Sequence, residues 1–388
     1  MTLQLKLIRT STVPGSLDTF CRGLLRELSD EGYEVVAVSS PGEALDRIAA
    51  REGVRTVAVP MQRRIAPFAD LRSLWRLIRV FRRERPAIVH SITPKAGLLS
   101  MMAAWICRVP VRLHTFTGLV FPTATGLKQR ILILTDRLTC ACATHIVPEG
   151  EGVRQDLINY RITRKPLRVL GHGNVRGIDL QHYDRTAEVM QAASAIRRPE
   201  CFTFIFIGRL VGDKGINELI EAFTRLHAEH PATRLLLVGR QEPALDPLAP
   251  STVEAIERCN AIEAVGQQSD VRPWLAASDA LVFPSYREGF PNVVIEAGAM
   301  GLPSIVTDIN GSREIIISGR NGIIIPPRSA DALYGAMLRF LTSQAEVAAM
   351  AAAARDLVAT RYEQTYVRRC LKDYYKEILP TAAPRKQR

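Results

Sequence analysis

Short β-type runs and amphipathic helical stretches alternate along almost the whole of this chain, and that alternation narrows the fold more than any other feature. In the first half Leu3, Leu5 and Leu7 alternate as a strand. A Val13-Pro14-Gly15-Ser16 loop follows, then a helical pattern over residues 17–31. Further strands are predicted at Glu34–Ser39, Val54–Val59, Ala87–His90, Val111–Thr115, His145–Val147 and Leu167–Leu170. In the second half they fall at Phe202–Ile207, Arg234–Val238, Ile262–Val265, Ala280–Phe283, Ser304–Thr307 and Gly322–Ile325. One intervening helix shows a clean apolar stripe, Ile216, Leu219, Ile220, Phe223 and Leu226. Regular strand–helix alternation with short loops implies an α/β protein whose parallel sheets are covered on both faces.

With 388 residues, the chain exceeds one ordinary core, so two domains are expected. The glycine-rich run from Gly171 to Asp179, followed by polar sequence of weak periodicity, marks the boundary. This predicts domains over 1–180 and 181–365, a helix over 366–379, and a basic, disordered tail over 380–388. The longest uncharged apolar stretch runs from Ala96 to Cys107, well short of the ~20 residues that span a bilayer. No secretory leader pattern is visible, which predicts a cytoplasmic protein. Seven cysteines at irregular spacing fit reduced, mostly buried thiols rather than a disulfide framework or a zinc site.

The chemistry concentrates in two places. Strand Ala280–Phe283 passes through a Pro/Ser/Gly loop into a helix, with Pro291 near its first position and Gly301 and Pro303 at its end. Glu288 lies in that loop and Glu296 on the helix, seven residues between them. In open α/β sheets ligands bind where strand ends meet helix N-termini. A solvated Glu followed by a helix-capping Glu would give the same spacing. The second place follows strand Phe202–Ile207: Gly208-Arg209-Leu210, then Asp213-Lys214-Gly215. It offers a planar guanidinium and a mobile ammonium, both suited to phosphate oxygens. A loop salt-bridged internally, for instance through Asp213, would look alike.

The run from Pro284 through Glu288-Gly289-Phe290-Pro291-Asn292 to Glu296, with Gly301-Leu302-Pro303 and Gly311, resembles the E-x7-E signature of retaining glycosyltransferases of family 4. Arg209 and Lys214 resemble that family's GR-L…KG motif, and Gly177-Ile178-Asp179 its linker triplet. The resemblance implies the GT-B fold, two Rossmann-like domains facing across a cleft. It implies that Arg209 and Lys214 hold the diphosphate of a nucleotide-sugar donor, whose phosphates and sugar hydroxyls the backbone of the Gly289, Phe290, Pro291 and Asn292 loop would also reach. Glu296 would bind the ribose hydroxyls, and Glu288 would be the catalytic carboxylate beside the transferred sugar. The implied reaction has the acceptor attack the face from which the leaving group departs, helped by the donor phosphate. No D-x-D motif or cluster of metal-ligand spacing occurs, so no metal and no cofactor are expected. The donor base, expected to be uracil, would be read largely by backbone and apolar contacts near segments such as Glu263–Gln267.

The first half departs from the family pattern. Where relatives carry a His-Gly pair, Thr117-Gly118 stands here, and His114 comes three residues earlier in a strand pattern. A histidine there suits the core as well as it suits a ligand. The stretches Ser91–Gly97 and Thr115–Phe121 resemble capsular and O-antigen enzymes acting on polyprenyl-diphosphate-linked sugars. Gly15, Lys95, His114 and Thr117 are therefore the acceptor-side candidates, for a lipid-linked glycan.

Charge sharpens that expectation. Residues 1–180 hold 27 Lys and Arg against 15 Asp and Glu, and the remainder holds 24 of each. A helix over Asp70–Arg85 combines a stripe of Leu71, Leu74, Trp75, Ile78 and Phe81 with Arg72, Arg76, Arg79 and Arg83 beside it. The stripe suits packing on a sheet, and the basic face suits an anionic lipid surface, predicting peripheral attachment to the inner face of the plasma membrane. No nucleic-acid-binding module is present, so nucleic acid is not an expected partner. A nucleotide-sugar 2-epimerase would share the architecture, as would an inactive nucleotide-sugar-binding protein.

Overall fold

A computed structural model describes residues 5–64, 66–242 and 246–379. The first six strands are β1 (Lys6–Thr10), β2 (Glu34–Ser39), β3 (Arg55–Ala58), β4 (Ile88–Ile92), β5 (Val111–Phe116) and β6 (His145–Pro148). They form one parallel sheet in the order β3-β2-β1-β4-β5-β6. The second six are β7 (Phe202–Ile207), β8 (Thr233–Val238), β9 (Ile262–Gly266), β10 (Ala280–Phe283), β11 (Ser304–Thr307) and β12 (Gly322–Ile325). They form another parallel sheet in the order β12-β11-β10-β7-β8-β9. Each sheet starts at its centre, runs out to one edge, crosses back and runs out to the other. That reversal leaves a switch point between β1 and β4, and another between β7 and β10, where the loops after neighbouring strands diverge to opposite faces.

The first sheet carries α1 (Pro14–Cys21), α2 (Leu24–Asp30), α3 (Glu43–Glu52), α4 (Pro67–Glu84), α5 (Pro94–Ile106), α6 (Gly126–Cys142) and α7 (Glu151–Asn159). Right-handed crossovers send the helices before the reversal to one face and those after it to the other. Accordingly Leu17, Leu25 and Leu45 share one buried cluster, whereas Leu77, Phe81, Leu99 and Cys140 share another. The second sheet carries α8 (Ala187–Ser194), α9 (Ile216–Glu229), α10 (Pro250–Arg258), α11 (Arg272–Ala276), α12 (Asn292–Ala299), α13 (Ser312–Ile315), α14 (Ala330–Thr342) and α15 (Gln344–Tyr362). The predicted stripe of α9 is buried throughout.

The chain divides into two compact units, one from the N-terminus to Arg176 and the other from Gly177 to Gln364. The final helix, α16 (Gln364–Ile378), belongs with the first unit from Thr365 onward. Its Tyr375 is fully buried there, and the hydroxyl accepts a 2.9 Å hydrogen bond from Arg9 on β1. The tail over 380–388 lies outside the described residues.

Three sequence expectations need correction. The helix expected over 17–31 is two helices, broken at Gly23 with φ +74°. The break is held by the buried Glu52 of α3, whose carboxylate accepts from the N–H groups of Gly23 (2.9 Å) and Arg26 (3.2 Å) at the start of α2. Residues 167–170 form no strand, only a single bridge between Leu167 and Ile146. Finally, α4 is rotated from the expected facing, although Leu74, Ile78 and Phe81 of the expected stripe still pack on the core. Its buried line is Ser73, Leu77, Phe81 and Glu84, while Leu71 and Trp75 stay 63 % and 56 % exposed. Polar anchors set this rotation: Ser73 donates to the carbonyl of Pro60, and Glu84 is clasped by Lys6 and Arg55.

Candidate active site

The loops leaving β7 and β10 occupy the switch point of the second sheet, and they are lashed together. The N–H of Tyr286 donates to the carbonyl of Asp213 at 2.9 Å. At Gly215, φ is +71°, and a Cβ would stand 2.2 Å from the carbonyl oxygen of Pro284, so only glycine lets the two backbones come this close. The β7 loop is tied from behind by Asp246, whose carboxylate accepts from the Asp213 N–H at 2.6 Å.

This lashing brings Lys214 and Glu288 into direct contact as an ion pair. Ser285 Oγ donates to the same Glu288 oxygen at 2.9 Å, and the Lys214 ammonium lies 5.8 Å from the centre of the Phe283 ring. The partner of Lys214 is thus Glu288 from the other loop, whereas Asp213 pairs with Arg287 at 3.3 Å. Arg209 turns the other way and meets Glu242 at 3.3 Å, both about two-fifths exposed. An exposed pair of that kind contributes only about 0–1 kcal/mol, so Arg209 can exchange Glu242 for a phosphate at little cost. Tyr286 braces the loop by donating to Glu218 at 2.5 Å. Burial first, then that acidic partner, holds its phenol above the ordinary range.

Beyond Glu288 the chain enters α12. Pro291 is the residue before the first helical turn rather than within it, and its own side chain makes no capping hydrogen bond. The first N–H groups and the positive end of the helix dipole therefore face the same edge of the sheet as Lys214. Glu296 sits half-buried one turn further on. Phe290 turns its ring inward, edge-on to Tyr362 with ring centres 5.5 Å apart, which leaves the expected donor contact to its backbone. Glu263 stands at the opposite end of β9, where it binds Arg234 and Arg198.

The family model described as "Glycosyl transferase 4-like domain" matches residues 15–173, and that described as "Glycosyl transferases group 1" matches residues 201–343. The capsular polysaccharide biosynthesis glycosyltransferase CapM of Staphylococcus aureus is 31 % identical over 82 % of this chain and 83 % of its own. The chain belongs to the group 1, 4-like glycosyltransferases.

A second relative of this glycosyltransferase is the Escherichia coli UDP-Gal:alpha-D-GlcNAc-diphosphoundecaprenol alpha-1,3-galactosyltransferase. It is 25 % identical over 74 % of this chain and 75 % of its own. Among solved structures, Anabaena Alr3699/HepE in complex with UDP superposes with a TM-score of 0.80, at 16 % identity over 97 % of this chain and all of that one. WaaG, a glycosyltransferase involved in lipopolysaccharide biosynthesis, gives 0.71 at 15 % identity over 97 % and all. At such identities the likeness establishes the GT-B fold.

The first unit of the glycosyltransferase gathers two acceptor-side candidates at its own switch point. Gly15 lies exposed in the first turn of α1, after β1, and Lys95 lies in the first turn of α5, after β4. The two loops are joined by Thr12 and Thr93, whose hydroxyls are 2.8 Å apart. Thr93 holds φ +71°, a conformation costly for a β-branched residue. Lys95 is already paired with Asp70 of α4. Thr117 lies half-buried after β5, one strand away.

His114 is corrected to a packing role. It is 1 % exposed, 2.8 Å from Ser91 Oγ and edge-on to Phe116. Its ring fills the space over Gly97, where a Cβ would meet it at 2.3 Å. Burial drives its pKa down to about 3, so it stays neutral at physiological pH.

Sequence reasoning overlooked Ser285, Tyr286, Glu218 and Asp246, which fix the Lys214–Glu288 pair. Only Ser285 and Tyr286 carried any signal, by lying inside the acidic motif. A cavity of about 600 Å³ opens at the other end of the second sheet, lined by Arg185, Arg197, Cys201, Asp279, Leu302 and Val347. These flank the strand starts, away from the carboxyl ends where ligands of open α/β sheets bind.

Proposed function

We propose that this glycosyltransferase moves a hexose or N-acetylhexosamine, with retention of configuration, from a UDP-linked donor to a polyprenyl-diphosphate-linked glycan during cell-surface polysaccharide synthesis. The observation that carries the reading is the Lys214–Glu288 pair at the switch point beside the N-terminus of α12. It joins a cation fit for a leaving diphosphate to a carboxylate fit for the sugar. In this reading Lys214 exchanges Glu288 for a phosphate oxygen when donor binds, and Arg209 does the same with Glu242. Charge building on the diphosphate is then met by two side chains and the N-terminus of α12 without reorganising water. Released from Lys214, Glu288 orients a sugar hydroxyl or stabilises positive charge at the anomeric carbon, and Glu296 takes the ribose hydroxyls.

Gly15, Lys95 and Thr117 are assigned to the acceptor side. The capsular relative and the E. coli enzyme, whose name specifies a diphosphoundecaprenol acceptor and a UDP-sugar, support the choice of substrates. The UDP held by the Anabaena protein supports the donor base. Attachment to an anionic inner-membrane surface would bring the enzyme to such an acceptor.

The test is to incubate the protein with each common UDP-sugar and a polyprenyl-diphosphate N-acetylhexosamine, with and without chelator, and to read anomeric configuration by NMR. An α-linked product from an α-linked donor, unaffected by chelator, is expected. Conversion of the donor in the absence of acceptor would instead make the protein an epimerase. An inverted product would remove the assigned mechanism.

A further inference from the structure

Large apolar side chains are not exposed evenly over this protein. Among the described residues fourteen are exposed, and ten of them lie between Phe68 and Leu138; the whole second unit has two, Met190 and Ile317. Nine of the ten lie on α4, α5 and α6, which form one layer of the first unit with α4 packed on α5 and α5 on α6; the tenth, Val120, lies in the loop after β5.

On α4 the outward line begins with Phe68 (90 % exposed), Leu71 and Trp75 and continues with Arg79 and Arg82. The Arg79 guanidinium lies 4.4 Å above the Trp75 ring. On α6 the outward line is Leu127, Ile131, Leu134 and Leu138, a three–four spacing that puts all four on one face. Lys128, Arg130 and Arg137 flank it, all exposed. Apolar stripes of this sort normally face a core, yet these point away from the sheet that α4 and α6 cover.

Charge says what covers them. Residues 61–142 contain 14 Lys and Arg and only three acids. None of the three offers a free negative charge at the surface: Asp70 is paired with Lys95, Glu84 is buried between Lys6 and Arg55, and Asp136 is half-buried with its pKa pushed by burial up to about 7. A protein partner would need a matching acidic, apolar surface. An anionic bilayer supplies both chemistries at once, phosphates for the arginines and acyl chains for the leucines and aromatics.

We infer that the outward faces of α4 and α6 form one lipid-docking surface, which lies along an anionic bilayer and inserts Trp75 and the α6 leucine stripe below the headgroups. This rests on the reading that the acceptor is lipid-linked, and goes beyond it by specifying insertion rather than electrostatic adsorption. No helix among the described residues is long and apolar enough to cross a membrane; insertion here is shallow and parallel to the surface.

The experiment uses the full chain with phosphatidylglycerol-containing vesicles, against pure phosphatidylcholine vesicles. Bromine-labelled acyl chains should quench Trp75 and Trp105, and the Trp75→Phe/Trp105→Phe variant, keeping only Trp274 of the second unit, should show no quenching. Leu127→Ser/Leu134→Ser, both at exposed positions, should weaken vesicle partition about tenfold or more. It should leave transfer to a short-chain, water-soluble acceptor unchanged. Binding without quenching would overturn insertion while leaving membrane attachment and the proposed activity standing. Lipid-independent dimerisation abolished by the same leucine variant would overturn the inference in favour of a second copy. Failure of transfer to every acceptor would count against the proposed function instead.

Discussion

Replacing Lys214 with Met tests the candidate site most directly, because the same side chain carries a structural cost and a catalytic one that can be separated. Lys214 and Glu288 expose 12 % and 19 % of their side chains. The pair thus sits between a surface pair, worth about 0–1 kcal/mol, and a fully buried one, whose one-sided removal costs about 3–5 kcal/mol. Ser285, 2.9 Å from the Glu288 oxygen, keeps part of the stranded charge solvated. Lys214→Met should therefore destabilise the second unit by about 2 kcal/mol, lowering its melting temperature by about 4–8 °C.

The Lys214→Met/Glu288→Gln double variant removes both charges, so no carboxylate is left stranded. It should recover at least half of that loss. Catalysis should behave differently. Removing one preorganised donor from a developing negative charge costs about 10²–10³ in kcat, and the double variant should regain none of it. The assays are thermal unfolding of both variants and single-turnover transfer at saturating donor. A Lys214→Met enzyme within about threefold of wild-type kcat would refute the diphosphate role. A double variant as unstable as the summed singles would refute the coupling of the pair.

Other consequences follow from the same geometry. Glu242→Gln should change stability by less than about 1 kcal/mol, since its bond to Arg209 is exposed, and should lower the donor KM by releasing Arg209; a raised KM would mean that Glu242 itself binds donor. Gly97→Ala forces a Cβ onto the His114 ring and should destabilise the first unit by about 1–3 kcal/mol, seen as a lower denaturation midpoint. The Arg55 hydrogen bonds, opposed by burial and aided by Lys6, hold Glu84 at about 2 against an ordinary 4.5. Its folded-state pKa is depressed, so its contribution, at most about 3 kcal/mol, is complete above pH 4.5 and lost as pH falls toward about 2. The stability gap between wild type and Glu84→Gln should close over that window, and a gap independent of pH would refute the ion-pair account. His114 acts in the same direction at higher pH. Held neutral with a pKa of about 3 against 6.5, it should make the first unit lose stability as pH falls from 6.5 toward 3, and His114→Gln should flatten that slope.

Much of this protein was legible one segment at a time. β7, β10, β11 and β12 begin and end where the apolar runs do, because a strand buried on both faces is specified by its own side chains. The α9 stripe, the glycine-rich boundary near Gly177 and the loop bearing Glu288 are local in the same sense. Arg209, Lys214 and Glu288 could be singled out because each lies in the loop past a recognisable strand, and Glu296 because it lies on the helix that follows.

What lay beyond the sequence is partnership between distant segments. Nothing near Gly23 announces that Glu52, from another helix, will accept its N–H and split one helix into two. Nothing near Lys214 chooses Glu288 over the adjacent Asp213. That choice follows from β7 and β10 lying side by side at the switch point, with Gly215 pressed against Pro284. The facing of α4 was undecided for the same reason: periodicity shows that a helix has an apolar side, but Ser73 and Glu84 turn inward because Pro60, Lys6 and Arg55 wait there. Local pattern determines which elements form, since each residue's alternation or stripe belongs to its own segment. Tertiary structure decides which elements meet, and so which charges pair and which leucines are left exposed, because those energies exist only once remote parts of the chain have come together.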